Sequence, residues 1–284
     1  MAELLKGSPV AEAINEKLVN TVQELQTRNI YPTLAILRAG ERPDDIAYER
    51  NAAKRCEKTG VKVKQITLPA DCTERDLVDT LVNLNRDTSI HGVLLFRPLP
   101  RGINDTIVRN TLAPEKDIDG ITDASMAGVF TGNGAGFAPC TAQACMEIID
   151  YYGISCEGRR VAVVGRSLVV GKPAAMMLIA KNATVTICHT RTADMPARCR
   201  EAEILIVSAG RPKVIDKSYL SAGQVIIDVG INALEDGSLC GDVDFEAAGE
   251  IAAAITPVPG GVGTVTTSVL VKHVVEAAGK YLAR

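Results

Sequence analysis

Apolar residues recur at helical spacing over 9–29, where Val10, Ile14, Leu18, Val22 and Leu25 share one face. A short apolar run at 33–37 has the length of a buried strand. The pattern then alternates: a helix over 44–59, a strand over 61–68, a helix over 74–85, and a strand over 92–96 ended by Pro98 and Pro100. Strands separated by helical segments predict a parallel sheet with helices on both faces. The glycine-rich segment 132–136, GNGAG, reads as a loop near a domain boundary. Beyond it the alternation resumes, with later strands at 204–208 and 225–229 and a closing helix over 266–282. No internal repeat or low-complexity segment interrupts it.

The densest information lies in 161–191, VAVVGRSLVVGKPAAMMLIAKNATVTICHTR. A β-branched run over 161–164 ends at Gly165. Gly171 and Pro173 open a helix, and 183–188 returns as a second strand. This is the pattern of a mononucleotide-binding βαβ unit, in which a helix N-terminus faces a pyrophosphate. The glycine turn is longer than GxGxxG and carries Arg166 and Ser167. An NAD site usually places an acidic residue about 20 residues after the turn, for the ribose 2′-hydroxyl. Here the second strand runs into His189-Thr190-Arg191-Thr192, with no acid. A carboxylate would repel a 2′-phosphate, whereas arginine and threonine can bond it. The segment therefore reads as an NADP site. Outside the βαβ context, Arg166 and Arg191 would be ordinary solvated loop residues.

Composition narrows the picture further. A chain of 284 residues is long enough for two domains, and 46% hydrophobic residues fill two cores. Aromatic residues are 4%, tryptophan is absent and net charge is −3. Neither nucleic acid nor an anionic membrane is an expected partner. No apolar stretch approaches the roughly 18 residues of a membrane span, and the N-terminus does not resemble a signal peptide. The eight cysteines include no CxxC pair and only three histidines accompany them. Reduced, mostly structural thiols, no metal site and a cytoplasmic location are the expectation.

Several segments together resemble one family, the methylenetetrahydrofolate dehydrogenase/cyclohydrolases. They are Tyr48 in the second helix, Pro98-Leu99-Pro100, Lys116-Asp117-Ile118-Asp119-Gly120, Pro139-Cys140-Thr141, Val164-Gly165-Arg166-Ser167, the 183–189 strand, and 256–263, TPVPGGVG. Each is weak alone: Tyr48 would read as a core tyrosine, Asp119 as a turn residue before Gly120, and the PGG run as a tight loop. Their order over almost the whole chain carries the resemblance. It implies a two-domain α/β fold with a cleft between the domains. An N-terminal catalytic domain with a parallel sheet would span 1–138. A C-terminal Rossmann NADP-binding domain would span 139–268, and helix 269–284 would pack back on the first domain. It also implies a homodimer and tetrahydrofolate derivatives as ligands. On the matching positions, Tyr48 and Asp119 would be catalytic. Tyr48 would lie against the pterin and aminobenzoate, and Asp119 would accept hydrogen bonds from the pterin's amino and ring N–H groups. Pro98, Leu99, Pro259, Gly260 and Gly261 would complete the substrate site. Thr141, Gly165, Arg166, Ser167, Gly171, His189, Thr190, Arg191, Gly230 and Ile231 would hold NADP.

The chain departs from the family where it matters chemically. Bifunctional members carry a lysine four residues after the tyrosine; here that position is Ala52. Lys54 should point elsewhere, because i+6 lies about 120° around a helix while i+4 returns to within about 40°. The family's glutamine before its Leu-Pro-Leu-Pro run is Phe96, the following leucine is Arg97, and a serine three residues before the tyrosine is Asp45. Hydride transfer needs alignment more than acid–base help. Hydrolysis of a methenyl group needs proton movement, where such help is typically worth ~10²–10⁴-fold. The expectation is an NADP-dependent methylenetetrahydrofolate dehydrogenase with weak or absent cyclohydrolase activity. Three other readings stay open. Arg97, Lys54 or Asp45 could restore a full bifunctional enzyme. The chain could bind folate and NADP without turnover. It could also be another two-domain NADP dehydrogenase, although no catalytic Lys–Asp or His pair is evident for one.

Overall fold

The computed structural model describes residues 1–280. Along the chain the elements are β1 (Glu3–Leu4), α1 (Gly7–Thr27), β2 (Thr33–Ala39), α2 (Pro43–Thr59), β3 (Lys62–Leu68), α3 (Glu74–Arg86), β4 (Gly92–Leu95), α4 (Asp105–Thr111) and α5 (Asp123–Thr131). There follow α6 (Cys140–Tyr151), β5 (Arg160–Val164), α7 (Gly171–Ala180), β6 (Thr184–Cys188), α8 (Met195–Glu201), β7 (Ile204–Val207) and β8 (Val225–Asp228). The chain closes with β9 (Asn232–Ala233), β10 (Leu239–Cys240), α9 (Phe245–Ile251), β11 (Ala254–Ile255) and α10 (Val262–Lys280). The chain divides into two compact units. One comprises Ala13–Cys140 and the residues from Thr267; the other comprises Met1–Glu12 and Thr141–Thr266. Residues 281–284 of the expected closing helix lie outside the described residues.

The first unit holds a parallel three-stranded sheet in the order β3-β2-β4. Its central strand β2 buries Leu34, Ala35, Ile36 and Leu37 completely, as expected for a strand covered on both faces. α3 starts at a capping box between Thr73 and Asp76, and places Leu77, Leu81 and Leu84 on the core side. Lys116 closes the other end of that helix, donating from Nζ to the carbonyl oxygens of Leu84 and Asp87, both at 2.7 Å. α10 contributes Val274, which lies against Gly92 with no room between them for a side chain.

The second unit holds a parallel six-stranded sheet in the order β1-β11-β8-β7-β5-β6. From β5 the chain passes to β6 on one side, then returns to β7 on the other. A crevice forms at such a reversal, beyond the carboxyl ends of the strands. Val161, Ala162, Val163 and Val164 of β5 are buried at its base.

One sequence expectation is corrected here. Residues 1–12 belong with the six-stranded unit and not with 13–138. β1 extends that sheet by pairing with β11, with Glu3 opposite Ala254 and Leu4 opposite Ile255. A two-residue strand has no period to read, and its partner lies at the far end of the chain.

Candidate active site and nucleotide crevice

In the three-stranded unit, α2 and the turn after Lys116 bring Tyr48 and Asp119 into electrostatic contact. Tyr48 is partly exposed, and its ring meets Phe96 edge-on, with centroids 5.8 Å apart. Burial, then the charges of Asp119 and Cys140, hold the phenol well above its usual range. Tyr48 is therefore a hydrogen-bond donor and not a base. Burial pushes the Asp119 carboxyl up to about 6 against hydrogen bonding from Cys140, with Asp117 adding to the rise and Arg97 opposing it. Asp117 is fully buried and accepts from the N–H groups of Ile121 (3.0 Å) and Thr122 (2.8 Å), which shapes the turn presenting Asp119.

The other expected substrate residues on this unit occupy neighbouring ground. Pro98 and Leu99 line an open groove of about 440 Å³ with Arg97, Ile103 and Asp105. Tyr48 and Asp119 do not line that groove. The Arg97–Pro98 peptide is cis. Arg97 grips Asp105 through both carboxylate oxygens, at 2.6 and 2.5 Å. Arg42 grips Asp45 in the same way, at 2.8 Å twice, and also donates to the Arg97 carbonyl oxygen at 3.2 Å. Ala52 is fully buried on the same face of α2 as Asp45, Glu49 and Cys56, while Lys54 is exposed.

In the six-stranded unit the glycine turn follows β5 as expected. Gly165 has φ +120°, and a side chain there would run into the Ser208 carbonyl group after β7. A side chain on Gly171 would meet the backbone of Gly165 and Arg166. These close approaches leave a backbone cradle beside the first turn of α7. Ser167 Oγ accepts from the Val170 N–H at 3.1 Å, which leaves its own proton available to an anion. Arg166, Ser167, Thr190 and Arg191 are exposed around the cradle. The turn after β6 is tied locally: the His189 N–H donates to Thr192 Oγ1 (2.8 Å), and the Arg191 N–H to His189 Nδ1 (3.1 Å). The cradle, the helix N-terminus and the uncommitted cations fit a phosphorylated dinucleotide.

Gly230 and Ile231 follow β8, and Ile231 is largely exposed. Thr141 lies in the first turn of α6, and its carbonyl accepts from the Cys145 thiol at 3.3 Å. The Pro259-Gly260-Gly261 loop is pinned by β1 and α1. The Gly7 N–H donates to the Gly260 carbonyl at 2.8 Å, and a side chain at Gly7 would strike the Gly261 carbonyl.

Sequence reasoning missed Asp242. This fully buried carboxylate accepts three successive N–H groups after β7: Ala209 (2.6 Å), Gly210 (2.8 Å) and Arg211 (3.0 Å), together with Asn232 Nδ2 (2.9 Å). Its neighbour Asp228 accepts from Gly230, Asp242 and Val243, and burial lifts its carboxyl to about 6. The two acids hold the loops at the mouth of the crevice. The only signal in the sequence is an aspartate after a glycine at 241, which a turn explains equally well.

Residues 5–119 match the model of the tetrahydrofolate dehydrogenase/cyclohydrolase catalytic domain, and 139–282 match that of the same family's NAD(P)-binding domain. The chain belongs to the tetrahydrofolate dehydrogenase/cyclohydrolase family. It is 48% identical over 279 residues to the bifunctional protein FolD of Carboxydothermus hydrogenoformans, covering 98% of this chain and 97% of that protein. The family's bifunctional FolD from Campylobacter jejuni superposes with a TM-score of 0.96 at 35% identity, over 99% of this chain and 100% of its own. The methylenetetrahydrofolate dehydrogenase-cyclohydrolase of Trypanosoma brucei, solved with an NADP cofactor and an inhibitor, superposes with a TM-score of 0.93 at 32% identity, covering 100% and 99%. The two-domain α/β fold and the NAD(P)-binding domain are thus those of the family. Among the described residues no helix is long and apolar enough to cross a membrane. No group of three or more His, Cys, Asp or Glu among them is placed to hold a metal.

Proposed function

We propose that the protein oxidises 5,10-methylenetetrahydrofolate to 5,10-methenyltetrahydrofolate with NADP⁺, and that its cyclohydrolase activity is weak or absent. The observation that carries this reading is the pairing of an intact Tyr48–Asp119 site with Phe96 and Ala52 beside it. Asp119, ionised above about pH 6, accepts from the pterin's amino and ring N–H groups. Tyr48 keeps its proton and offers an aromatic face to the pterin and aminobenzoate. By the family resemblance, Pro259, Gly260 and Gly261 would complete the substrate's surroundings.

The hydride leaves the methylene carbon as the folate nitrogen lone pair forms the C=N⁺ bond of the methenyl cation. No protein group has to move a proton in this step, so positioning carries the rate. When bound, the nicotinamide supplies the acceptor for that hydride. The Gly165–Gly171 cradle, Ser167 and α7 would hold the pyrophosphate. Arg166 and Arg191 favour the 2′-phosphate of NADP over NAD. His189, Thr190, Thr141, Gly230 and Ile231 would complete the nucleotide's surroundings.

Water attack on the methenyl carbon, followed by ring opening, does require proton movement. Phe96 has no polar atom to offer, and it fills space against Tyr48. The three groups that could substitute are engaged or turned away. Arg97 is held by Asp105, Asp45 by Arg42, and Lys54 is exposed on another face of α2. A guanidinium is in any case a poor proton shuttle. A homodimer in the cytoplasm belongs to the same proposal, by the family resemblance.

The test is a two-stage assay. Methylenetetrahydrofolate and NADP⁺ are supplied, and NADPH is followed with the methenyl absorbance; authentic methenyltetrahydrofolate is then added and its decay timed. NADPH formation with decay at the buffer rate is expected. Accelerated decay would support the full bifunctional activity borne by the FolD relatives and overturn the loss of cyclohydrolase. No NADPH would leave a binding protein without turnover.

A further inference from the structure

Asp119 sits on a short turn, and a turn alone does not hold a carboxylate in one direction. The peptide that links it to Ile118 is gripped from far along the chain. His273 Nδ1 lies 2.8 Å from the Ile118 carbonyl oxygen, and Cys140 Sγ lies 3.2 Å from the same atom. A carbonyl oxygen has two lone pairs, so it accepts from both the imidazole N–H and the thiol S–H. That geometry fixes the tautomer: His273 carries its proton on Nδ1. The imidazole is itself set by Phe137, whose ring lies 4.8 Å away at a tilt of 32°. Both His273 and Cys140 are buried.

The peptide on the other side of Asp119 is fixed as well. Gly120 has φ +65°, and a Cβ there would lie 2.5 Å from Pro139 N and 2.6 Å from both the Ala138 carbonyl carbon and the Phe137 oxygen. The segment 137–140 therefore packs flush against the turn. With both flanking peptides held, Asp119 retains only its side-chain torsions.

We propose that Cys140 and His273 are positioning residues for folate recognition: they clamp the Ile118 carbonyl and so set the direction in which Asp119 presents its carboxylate. The proposal rests on the reading of Asp119 as the pterin acceptor. Cys140 touches the same turn twice, because its backbone N–H also bonds the Asp119 carboxylate and favours the ionised form. The charged and titratable groups around Asp119 are Tyr48 on α2, Arg97 after β4, Asp117 in the same turn, and Cys140. The Cys140 thiol is raised well above its usual range by burial and by Asp119, so it acts as a donor and not as a nucleophile.

The experiment compares Cys140→Ala with Cys140→Ser, and His273→Leu with His273→Asn, in the full chain. Asp119→Asn is the control for the underlying reading. Ser and Asn each keep a donor toward the Ile118 oxygen; Ala and Leu do not. Cys140→Ala and His273→Leu should raise the KM for methylenetetrahydrofolate roughly tenfold, the size expected for a lost hydrogen bond at a charged site. kcat and the KM for NADP⁺ should stay within about twofold, and Ser and Asn should restore the folate KM. Unchanged folate KM in both donor-less variants, with Asp119→Asn impaired, overturns the clamp and leaves the site standing. A parallel rise in the NADP⁺ KM would mark a global packing defect and overturns it too. An unchanged folate KM in Asp119→Asn overturns the site and the clamp with it.

Discussion

Asp119 is the residue on which recognition and acidity meet. Its carboxyl, lifted to about 6, is protonated over part of the mildly acidic range where an ordinary aspartate is ionised. A raised carboxyl contributes stability that is fully present below the unfolded value near 4 and is lost as pH rises through about 6. Binding has the opposite sign, because only the ionised form accepts two N–H donors. kcat/KM for methylenetetrahydrofolate should therefore be level above about pH 7 and fall as pH drops through 6. A pH profile at saturating NADP⁺ checks this, and a level profile down to pH 5 would mean that Asp119 does not meet the pterin. The individual residues of this site were legible in the sequence only through motif order. The roles of Cys140, His273 and Asp242 were not, because each acts on backbone far away in the chain. Their residue types carry no sign of such a target.

At the scale of elements, α7 shows propensity overruled by close approach. Gly171 opens that helix, where alanine would ordinarily gain about 0.5–1 kcal/mol. Here a Cβ would collide with the backbone of Gly165 and Arg166. Forcing a methyl group into a packed contact costs typically ~1–3 kcal/mol, so Gly171→Ala should be destabilising overall. It should also weaken NADP binding, because the collision deforms the turn that cradles the pyrophosphate. Thermal melting with and without NADP⁺ measures both effects; a higher Tm with unchanged NADP affinity would refute the steric argument. Several longer elements could be read from the sequence, among them α1, α2, α3, β5 and α7, whereas α5 and α6 were not. The seven-residue helices α4, α8 and α9 and the two-residue strands β1, β9, β10 and β11 could not. Too few positions exist there for a period to declare itself, and tertiary pairing decides them.

At the scale of the whole molecule, neither unit is a continuous stretch of chain. The six-stranded unit takes its outer strand from residues that precede the three-stranded unit, and the latter takes residues of α10 from the end of the chain. Deleting residues 2–5 removes the N–H bonds of Ala2, Glu3 and Leu5 to the carbonyls of Gly249, Ala253 and Ile255. It also removes the buried Leu5 side chain. These losses together are worth about 4.5–6 kcal/mol, from roughly 1 kcal/mol per hydrogen bond and 1.5–3 for the leucine. The Tm should fall by about 9–24 °C at 2–4 °C per kcal/mol. kcat should fall too, because Gly7 loses the strand that holds it against the PGG loop. Melting and steady-state kinetics test this, and a deletion with unaltered Tm would show that β1 contributes no net stability.

The distance between β1 and its partner also has a consequence for synthesis on the ribosome. Glu3 emerges about 250 residues before Ala254, its partner in the sheet. At ~5–20 residues per second that interval is on the order of 10–50 s. Throughout it the leading residues have no sheet edge to join, although β2, β3 and β4 are already available to one another. The three-stranded sheet can close before β1 finds its partner, and the six-stranded sheet is finished only once β11 has emerged.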